Sequence, residues 1–406
     1  MLRSPELYFN IPYLLCSMLN PLVTAATACL VFRLSRQVGL SREWSVVAAL
    51  TYALASPAAP YARFDFAQPL AALTLTAGVW ALLRSEATSR PGPLIWAGAS
   101  LGYGVLARAE FLALIPWILG WVYARSRDVG RRAAVRRAAI VASPVCLAAL
   151  VHLLINWLKF GNAMQFRERS FLSLFPASLR GFMEGLVGEL ASPGRGLIVF
   201  FPLTLLALPG LLAVALTRSG AGSLAGGFIG ITLPLYASFY VWWGGWSWGP
   251  RFLVPLLPLL TLAATAWTCE AQGPSRRRHK AAFFALGVIG FVCSWNGILY
   301  DFVPYYVWIH RSLGLPEAGS TFFQPVASPL VSGWVSRRGQ PIDIFWIRLA
   351  THGELPGLLR SVAPAAVLLL LASLVYAGHM IRKALRSARS APAARVCPGA
   401  ASQRDS

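Results

Sequence analysis

The stretch WWGGWSWGPRFLVPLLPLL, residues 242–260, sets a turn rich in tryptophan and glycine directly before a long apolar run. Glycines permit backbone turns that other residues resist, and tryptophans favour the interface between membrane and water. Pro250 is suited to the first turn of the helix that follows. The stretch therefore predicts a helix that begins at a membrane surface, with Arg251 in its first turn at the outer lip.

The composition of the whole chain supports the same class of protein. Apolar residues make up 56% of the 406 residues and charged residues only 13%. A soluble domain would need more polar surface, so the composition predicts an integral membrane protein. The net charge of +21 does not indicate a nucleic-acid partner, because the basic residues punctuate apolar segments instead of covering a soluble fold.

The apolar segments predict the architecture. About eleven of them are long enough to cross a bilayer, and none shows the alternation of a membrane β-barrel. They lie at roughly 12–33, 44–58, 67–84, 93–107, 110–124, 138–157, 196–216, 223–242, 251–268, 281–300 and 360–381. We predict an all-α polytopic protein with one transmembrane domain, residues 1–384, and a disordered cytoplasmic tail, residues 385–406.

The basic residues predict the orientation in the plasma membrane. Arginine and lysine collect after the odd-numbered segments, which places those loops and the C-terminus in the cytoplasm. The extracytoplasmic loops are then about 58–67, 157–196, 243–250 and 301–360. This topology puts Met1 outside, yet residues 1–11 contain no signal peptide, so we expect a helix upstream of Met1. The alternative is that a short, weakly charged tail crosses the membrane unaided.

Two extracytoplasmic stretches carry charged pairs among apolar residues. PYARFDFAQPL, residues 60–70, holds Arg63 and Asp65, and a carboxylate there could act as a general base. The alternative is that Asp65 caps the next helix. LARAEFLALIPW, residues 106–117, holds Arg108 and Glu110. Residues two apart in a helix do not face each other, so we expect at least one of them to need another partner, such as a phosphate.

The loop 157–196 predicts a surface helix and an anion site. In PASLRGFMEGLVGEL, residues 176–190, apolar residues recur at helical spacing, as in an amphipathic helix that lies along a membrane. The loop closes with SPGRG, in which Arg195 stands between two glycines and would let an anion approach closely.

The cysteines and histidines predict no metal site. No CxxC pair is present, and the cysteines fall in helices or on the cytoplasmic side. The last loop contains His310 and His352 with the acids Asp301, Asp343 and Glu354, but neither HxxxH nor HExxH spacing occurs there. We therefore predict no bound metal and no other cofactor, a divalent ion being the one alternative.

Five blocks in order resemble a known superfamily. YARFDFAQPLAALTL, LARAEFLALIPWIL, NWLKFGNAMQF, LASPGRGLIVFFPLTLL and WWGGWSWGPRFLVPLLPLL together are similar to the uncharacterised bacterial branch of the GT-C glycosyltransferases, over roughly residues 10–270. That superfamily includes protein O-mannosyltransferases and aminoarabinose transferases that modify lipid A. The resemblance implies a membrane enzyme that transfers a sugar from a polyprenyl-phosphate donor to a lipid, glycan or protein acceptor on the extracytoplasmic face, with inversion at the anomeric carbon.

The resemblance also implies roles for residues. Such a reaction needs a carboxylate to activate the acceptor hydroxyl and cations to hold the leaving phosphate. The implied base is Asp65. The implied phosphate and donor ligands are Arg63, Arg108, Arg195 and Arg251, and the supporting residues are Glu110, Tyr61, Trp246 and Trp248.

The sequence departs from the superfamily at its start. Members usually carry their principal catalytic acid in a first extracytoplasmic loop, and here Glu6 is the only acid near that position. Two other functions therefore stay open. One is a transporter or flippase of lipid-linked sugars, although the chain shows no internal repeat and no charged residue at mid-helix depth. The other is a catalytically inactive fragment or partner subunit that holds such a lipid.

Overall fold

The computed structural model describes residues 11–88, 90–166, 169–170, 178–217 and 220–332, together with 368, 369, 372, 375, 376, 378–380 and 382. This part of the chain is almost entirely helical, as predicted. Its α-helices are α1 Ile11–Gln37, α2 Arg42–Ala55, α3 Ala58–Tyr61, α4 Gln68–Glu86, α5 Gly92–Ala107, α6 Ile115–Arg125, α7 Arg131–Phe160, α8 Leu179–Ala191, α9 Leu197–Phe200, α10 Thr204–Thr217, α11 Ala221–Ala237, α12 Leu257–Glu270, α13 Ser275–Leu299 and α14 Val303–Arg311.

Shorter elements connect these helices. The 3₁₀ helices span Ala109–Leu114, Arg127–Val129, Arg251–Leu256, Gly319–Phe323 and Pro325–Ala327. A small antiparallel hairpin pairs β1, Gln165–Phe166, with β2, Arg169–Ser170, and Gln165 lies opposite Ser170.

Four described helical segments are long and apolar enough to cross a membrane: Met18–Gln37, Arg131–Phe160, Arg251–Glu270 and Ser275–Leu299. The prediction of about eleven spans is not matched, because several apolar runs fold as shorter or interrupted helices. The run 110–124 divides into a 3₁₀ helix and α6, and the run 196–216 breaks at Phe201 between α9 and α10. Most of the last run, 360–381, lies outside the described residues.

The helices pack around α12, whose residues Leu257–Ala266 are all buried. Small residues allow the closest approaches, as is common where membrane helices cross. A Cβ added to Gly210 of α10 would lie 2.0 Å from the carbonyl oxygen of Ala263, and one on Gly98 of α5 would lie 2.6 Å from that of Val141. These glycines let the backbones of α10 and α12, and of α5 and α7, come into contact.

The apolar surface of α7 is turned outward. Leu147, Leu150, Leu154 and Leu158 are 64%, 64%, 54% and 68% exposed. A contiguous exposed stripe of this kind is rare on soluble monomers and marks contact with a membrane or another protein. The stripe agrees with the membrane character that the composition predicts.

Candidate functional site

The structure joins sequence stretches that lie far apart around the turn formed by residues 241–250, which we call the tryptophan turn. The hydroxyl of Tyr61 donates to the carbonyl oxygen of Trp248 at 2.9 Å. The hydroxyl of Tyr306, from α14, donates to the carbonyl oxygen of Ser247 at 3.0 Å. The loop after α2 and the first part of the last loop therefore both close on this turn.

Glycines shape the tryptophan turn, as the sequence predicts. Gly244, Gly245 and Gly249 have φ angles of 76°, 65° and 56°, in the left-handed region that other residues avoid. Gly249 also has no room for a side chain, since an added Cβ would lie 2.8 Å from the ring of Phe200. The next element starts as a 3₁₀ helix at Arg251, so Pro250 precedes the first helical turn and does not lie in it.

Arg195 braces the tryptophan turn from inside. Its side chain is 2% exposed, and its guanidinium donates to the carbonyl oxygens of Ser247, of Gly245 at 2.8 Å and of Gly249 at 3.3 Å. The guanidinium carbon also lies 4.5 Å from the ring centre of Phe322. Burial lowers the pKa of Arg195 to about 10, so the group stays charged at neutral pH. This arrangement orders the backbone, unlike the open anion site that the sequence suggests.

Arg108 and Glu110 do face each other, so our expectation from helical spacing was wrong. Nη2 of Arg108 lies 2.7 Å from Oε1 of Glu110, and the two side chains are 10% and 19% exposed. The pair forms because Arg108 ends α5 with an extended backbone, at φ −151° and ψ 104°, and Glu110 lies in the following 3₁₀ helix. Burial acts to lower the pKa of Arg108, but Tyr236 and Glu110 more than offset it and raise the pKa, so Arg108 is charged.

Gln68 brings Arg108 and Arg251 together. When the amide of the fully buried Gln68 is oriented with its oxygen toward the two guanidinium groups, that oxygen accepts from Nη1 of Arg108 at 2.5 Å and from Nε of Arg251 at 2.9 Å. Arg251 also donates to the carbonyl oxygen of Gly244 at 3.0 Å and lies 4.1 Å from the ring centre of Phe66. We call Gln68, Arg108 and Arg251 the guanidinium cluster.

The guanidinium cluster places positive charge close to the hydroxyl of Tyr61. Burial raises the pKa of Tyr61 to about 12, while Arg251, Arg195 and Arg108 act in the opposite direction. All three arginines thus lie within electrostatic range of one hydroxyl. Such an array favours an anionic ligand, since an anion would offset the repulsion between neighbouring cations.

Asp65 and Arg63 occupy the rim of this region. Phe64 is buried and Phe66 half-buried, whereas Asp65 between them is exposed. Helix α4 begins after Ala67 and has no side-chain cap, so the alternative in which Asp65 caps this helix is wrong. Arg63 donates to the carbonyl oxygen of Ile298 at the end of α13. Arg63 therefore ties the rim to α13.

The two tryptophans that the sequence proposes as supports differ in exposure. Trp248 is 1% exposed and packs edge-on against Phe200. Trp246 is 39% exposed and stacks on Tyr306, with ring centres 5.2 Å apart and an angle of 9° between the planes. Trp246 therefore offers an open aromatic face, and Trp248 is part of the packing below it.

Sequence reasoning missed three residues of this region. Gln68, Tyr306 and Glu189 carry no motif, and the only local signal for Gln68 is a polar residue before the proline that starts α4. Glu189 of α8 is 3% exposed, and among the described residues neither carboxyl oxygen has a hydrogen-bond partner. Burial raises the pKa of Glu189 well above its ordinary value. Burial therefore favours the neutral form of this acid.

The metal alternative finds no support in the described part of the chain, where no three His, Cys, Asp or Glu side chains lie close enough to hold an ion. His310 belongs to the described part of the chain, and its Nδ1 is 2.7 Å from the carbonyl oxygen of Leu315. The other candidates, His352, Asp343 and Glu354, lie outside the described residues.

Comparison with known proteins gives no further guide to the chemistry: the chain matches no protein-family model, and no curated protein is significantly similar to it in sequence.

Proposed function

We propose that the protein transfers a sugar from a polyprenyl-phosphate donor to a lipid, glycan or protein acceptor on the extracytoplasmic face of the plasma membrane. The observation that carries this proposal is the convergence of Arg108 and Arg251 on Gln68 beside the tryptophan turn. Two adjacent guanidinium groups suit the phosphate of the donor, since arginine binds phosphate oxygens in a bidentate manner. A GT-C-like arrangement of the helices is part of the same proposal.

The reaction needs a base, an electrophile and a leaving group. In the proposed step, the Asp65 carboxylate takes the proton of the acceptor hydroxyl, and the hydroxyl oxygen bonds to the anomeric carbon as the bond from that carbon to the phosphate oxygen breaks. The electron pair stays on the released polyprenyl phosphate. Arg108 and Arg251 stabilise the charge that develops there, and Asp65 is exposed three residues before Gln68.

Neighbouring residues have supporting roles in this proposal. Glu110 orients Arg108 through their ion pair, and Tyr61 fixes the tryptophan turn through its hydrogen bond to Trp248. The open ring of Trp246 is suited to stack against the apolar face of a sugar. Arg195 acts as a brace for the turn and, being buried against carbonyls, does not touch the donor.

A helix beside the tryptophan turn supports a location at a membrane surface. Leu179, Met183 and Val187 of α8 follow one another at intervals of four residues and are 78%, 46% and 47% exposed. The face of α8 that packs inward carries Gly185, Gly188 and Glu189 instead. An exposed apolar stripe of this kind is what a helix that lies in the membrane interface requires.

The test is transfer by the full chain in native membrane vesicles, with radiolabelled polyprenyl-phosphate sugars as donors. We expect Arg251→Ala to reduce transfer by about 100-fold or more, because loss of one charge-stabilising group typically costs that much. The variant should insert and keep its thermal midpoint in detergent. Arg180→Ala, which removes an exposed arginine of α8, is the matched control and should transfer at the wild-type rate.

Other outcomes would favour other functions. Wild-type turnover by Arg251→Ala would remove that arginine from the mechanism. Saturable donor binding without transfer, unchanged in Asp65→Asn, would indicate the inactive partner subunit. Movement of intact donor between the leaflets of a vesicle, without transfer, would indicate the flippase.

A further inference from the structure

A polar cavity lies at the end of α4 that is far from the guanidinium cluster. Gln68 begins this 19-residue helix and Glu86 ends it, which places the two about 27 Å apart. There a cavity of about 450 Å³ opens where α4 and α6 end and α7 begins. The residues that give it its chemistry are Ser85, Glu86, Trp121, Arg125, Ser126 and Arg137.

Arg137 offers this cavity an incompletely satisfied guanidinium. Its Nη2 donates to the carbonyl oxygen of Ser85 at 2.8 Å. Its Nε is buried and has no hydrogen-bond partner within the described part of the chain. Arg137 lines the cavity, and its guanidinium has N–H donors beyond the one that binds Ser85, so a ligand that supplies an acceptor oxygen would be stabilising.

Arg125 adds a second cation to the cavity. Its Nε pairs with Oε1 of Glu86, and the side chain is 47% exposed. Trp121 of the cavity wall is held in place, because its Nε1 donates to the carbonyl oxygen of Gly220 and to the hydroxyl of Ser223, each at 3.2 Å. The cavity therefore has a firm aromatic wall and two arginines that can reach the same ligand.

The surroundings of the cavity are strongly basic. Between residues 125 and 137 the sequence RSRDVGRRAAVRR contains a single acid, Asp128. Arg131, Arg132 and Arg136 are exposed on the first turns of α7. We call residues 84–90, 125–137 and 273–280 the basic end. Its field raises the local concentration of anions, and the cavity has the size of a small-ligand site.

We infer that this cavity binds a phosphate ester group, held by Arg125 and Arg137. The group could belong to a lipid headgroup in the adjacent leaflet or to a soluble phosphate ester, and both present the same acceptor oxygens. This inference does not depend on the proposed transfer reaction, since none of its residues belongs to the guanidinium cluster or the tryptophan turn.

The test measures binding by the full chain purified in detergent. One arm uses native mass spectrometry with dioleoyl phosphatidic acid, with a neutral diacylglycerol as reference. The other uses calorimetry with glycerol 3-phosphate and with inorganic phosphate. Binding in the first arm alone identifies a lipid headgroup, and binding in the second identifies a soluble ester.

Variants separate the cavity from general surface charge. We expect Arg137→Gln and Arg125→Gln each to weaken binding at least tenfold, and Arg132→Gln, which removes an exposed charge of the same stretch, to change it less than twofold. Ala87→Trp adds bulk at the cavity wall without changing charge and should also weaken binding at least tenfold. If a lowered thermal midpoint shows that Arg137→Gln misfolds, Ala87→Trp still tests whether the ligand binds in the cavity.

Two results would overturn the inference. One is the absence of saturable binding in both arms. The other is an equal loss in Arg132→Gln and Arg137→Gln, together with wild-type binding by Ala87→Trp, which would show that the basic end attracts anions only through its diffuse charge.

Discussion

The tryptophan turn and the basic end both depend on arginine, but they use it in opposite ways. At the turn, Arg195 is 2% exposed, and both terminal nitrogens of its guanidinium donate to backbone carbonyls. At the basic end, Arg131, Arg132 and Arg136 are exposed. A buried guanidinium must find acceptors within the protein, and it then fixes the backbone that supplies them. An exposed one is solvated by water, and its contribution is a field that attracts anions.

The largest expected effect is that of Arg195→Ala, which removes one donor from each of three carbonyls of the tryptophan turn. We expect it to destabilise the protein by about 3–5 kcal/mol, because it removes charge-assisted hydrogen bonds and the packing of a large buried side chain. Arg132→Ala is the matched substitution at the basic end and should change stability by less than about 0.5 kcal/mol. Thermal unfolding of both variants in detergent measures the difference, and equal midpoints would refute the contrast.

A second prediction compares glycines at the two ends. Gly249 in the tryptophan turn and Gly273 at the basic end have φ angles of 56° and 59°. Only at Gly249 would an added Cβ meet a neighbour, the ring of Phe200 at 2.8 Å. We expect Gly273→Ala to cost about 1–2 kcal/mol from backbone strain alone, and Gly249→Ala to cost about 2–4 kcal/mol from strain and overpacking. The same unfolding assay checks the order, and a smaller loss for Gly249→Ala would contradict it.

A third prediction concerns pH and the buried carboxyl of Glu189. Burial raises the pKa of Glu189 in the folded state, so the folded protein holds a proton that the unfolded chain releases as the pH rises. Stability should therefore fall with pH from just above the ordinary carboxyl pKa up to the raised one, by about 1.4 kcal/mol per pH unit. Glu189→Gln cannot ionise and should remove this slope.

The measurement is the thermal midpoint of wild type and Glu189→Gln between pH 5 and pH 8. The variant should resemble wild type at the acidic end and exceed it at the basic end. Parallel profiles would show that Glu189 is ionised in the folded protein and has a partner.

The smallest effect is expected for the ion pair between Arg125 and Glu86, whose side chains are 47% and 18% exposed. Partly exposed pairs contribute little, so Glu86→Gln should cost about 0.2–1 kcal/mol at low salt. That cost should vanish at about 1 M salt, where the screening length is about 3 Å. A loss that persists at high salt would mean that this pair is shielded from solvent, as the pair between Arg108 and Glu110 is.

Local sequence pattern predicted the features that depend on neighbours along the chain. Alternation was absent and apolar runs were long, which indicated helices, and most of the described chain is helical. The glycines at 244, 245 and 249 indicated a turn, and each has a positive φ. The amphipathic pattern around residue 185 predicted α8, and three of its apolar residues, Leu179, Met183 and Val187, are exposed.

Pattern failed where a helix ends within an apolar run. Arg108 and Glu110 were treated as helical neighbours that could not meet, but α5 ends at Ala107, just before them, and the pair forms. The same kind of break divides the runs 110–124 and 196–216, so that four described segments, and not about eleven, satisfy the length and composition of a membrane span. Hydropathy sums apolar character over a window and does not register a local change of backbone direction.

The sequence by itself determined the helical class, the membrane-like composition, the glycine turn and which stretches carry charge among apolar residues. Only the tertiary structure decided which charges are buried, since Arg195 reaches carbonyls about 50 residues away and Tyr61 reaches one 187 residues away. The physical reason is that backbone conformation depends mainly on local sterics, whereas the environment of a guanidinium or carboxyl group depends on which distant segments pack against it.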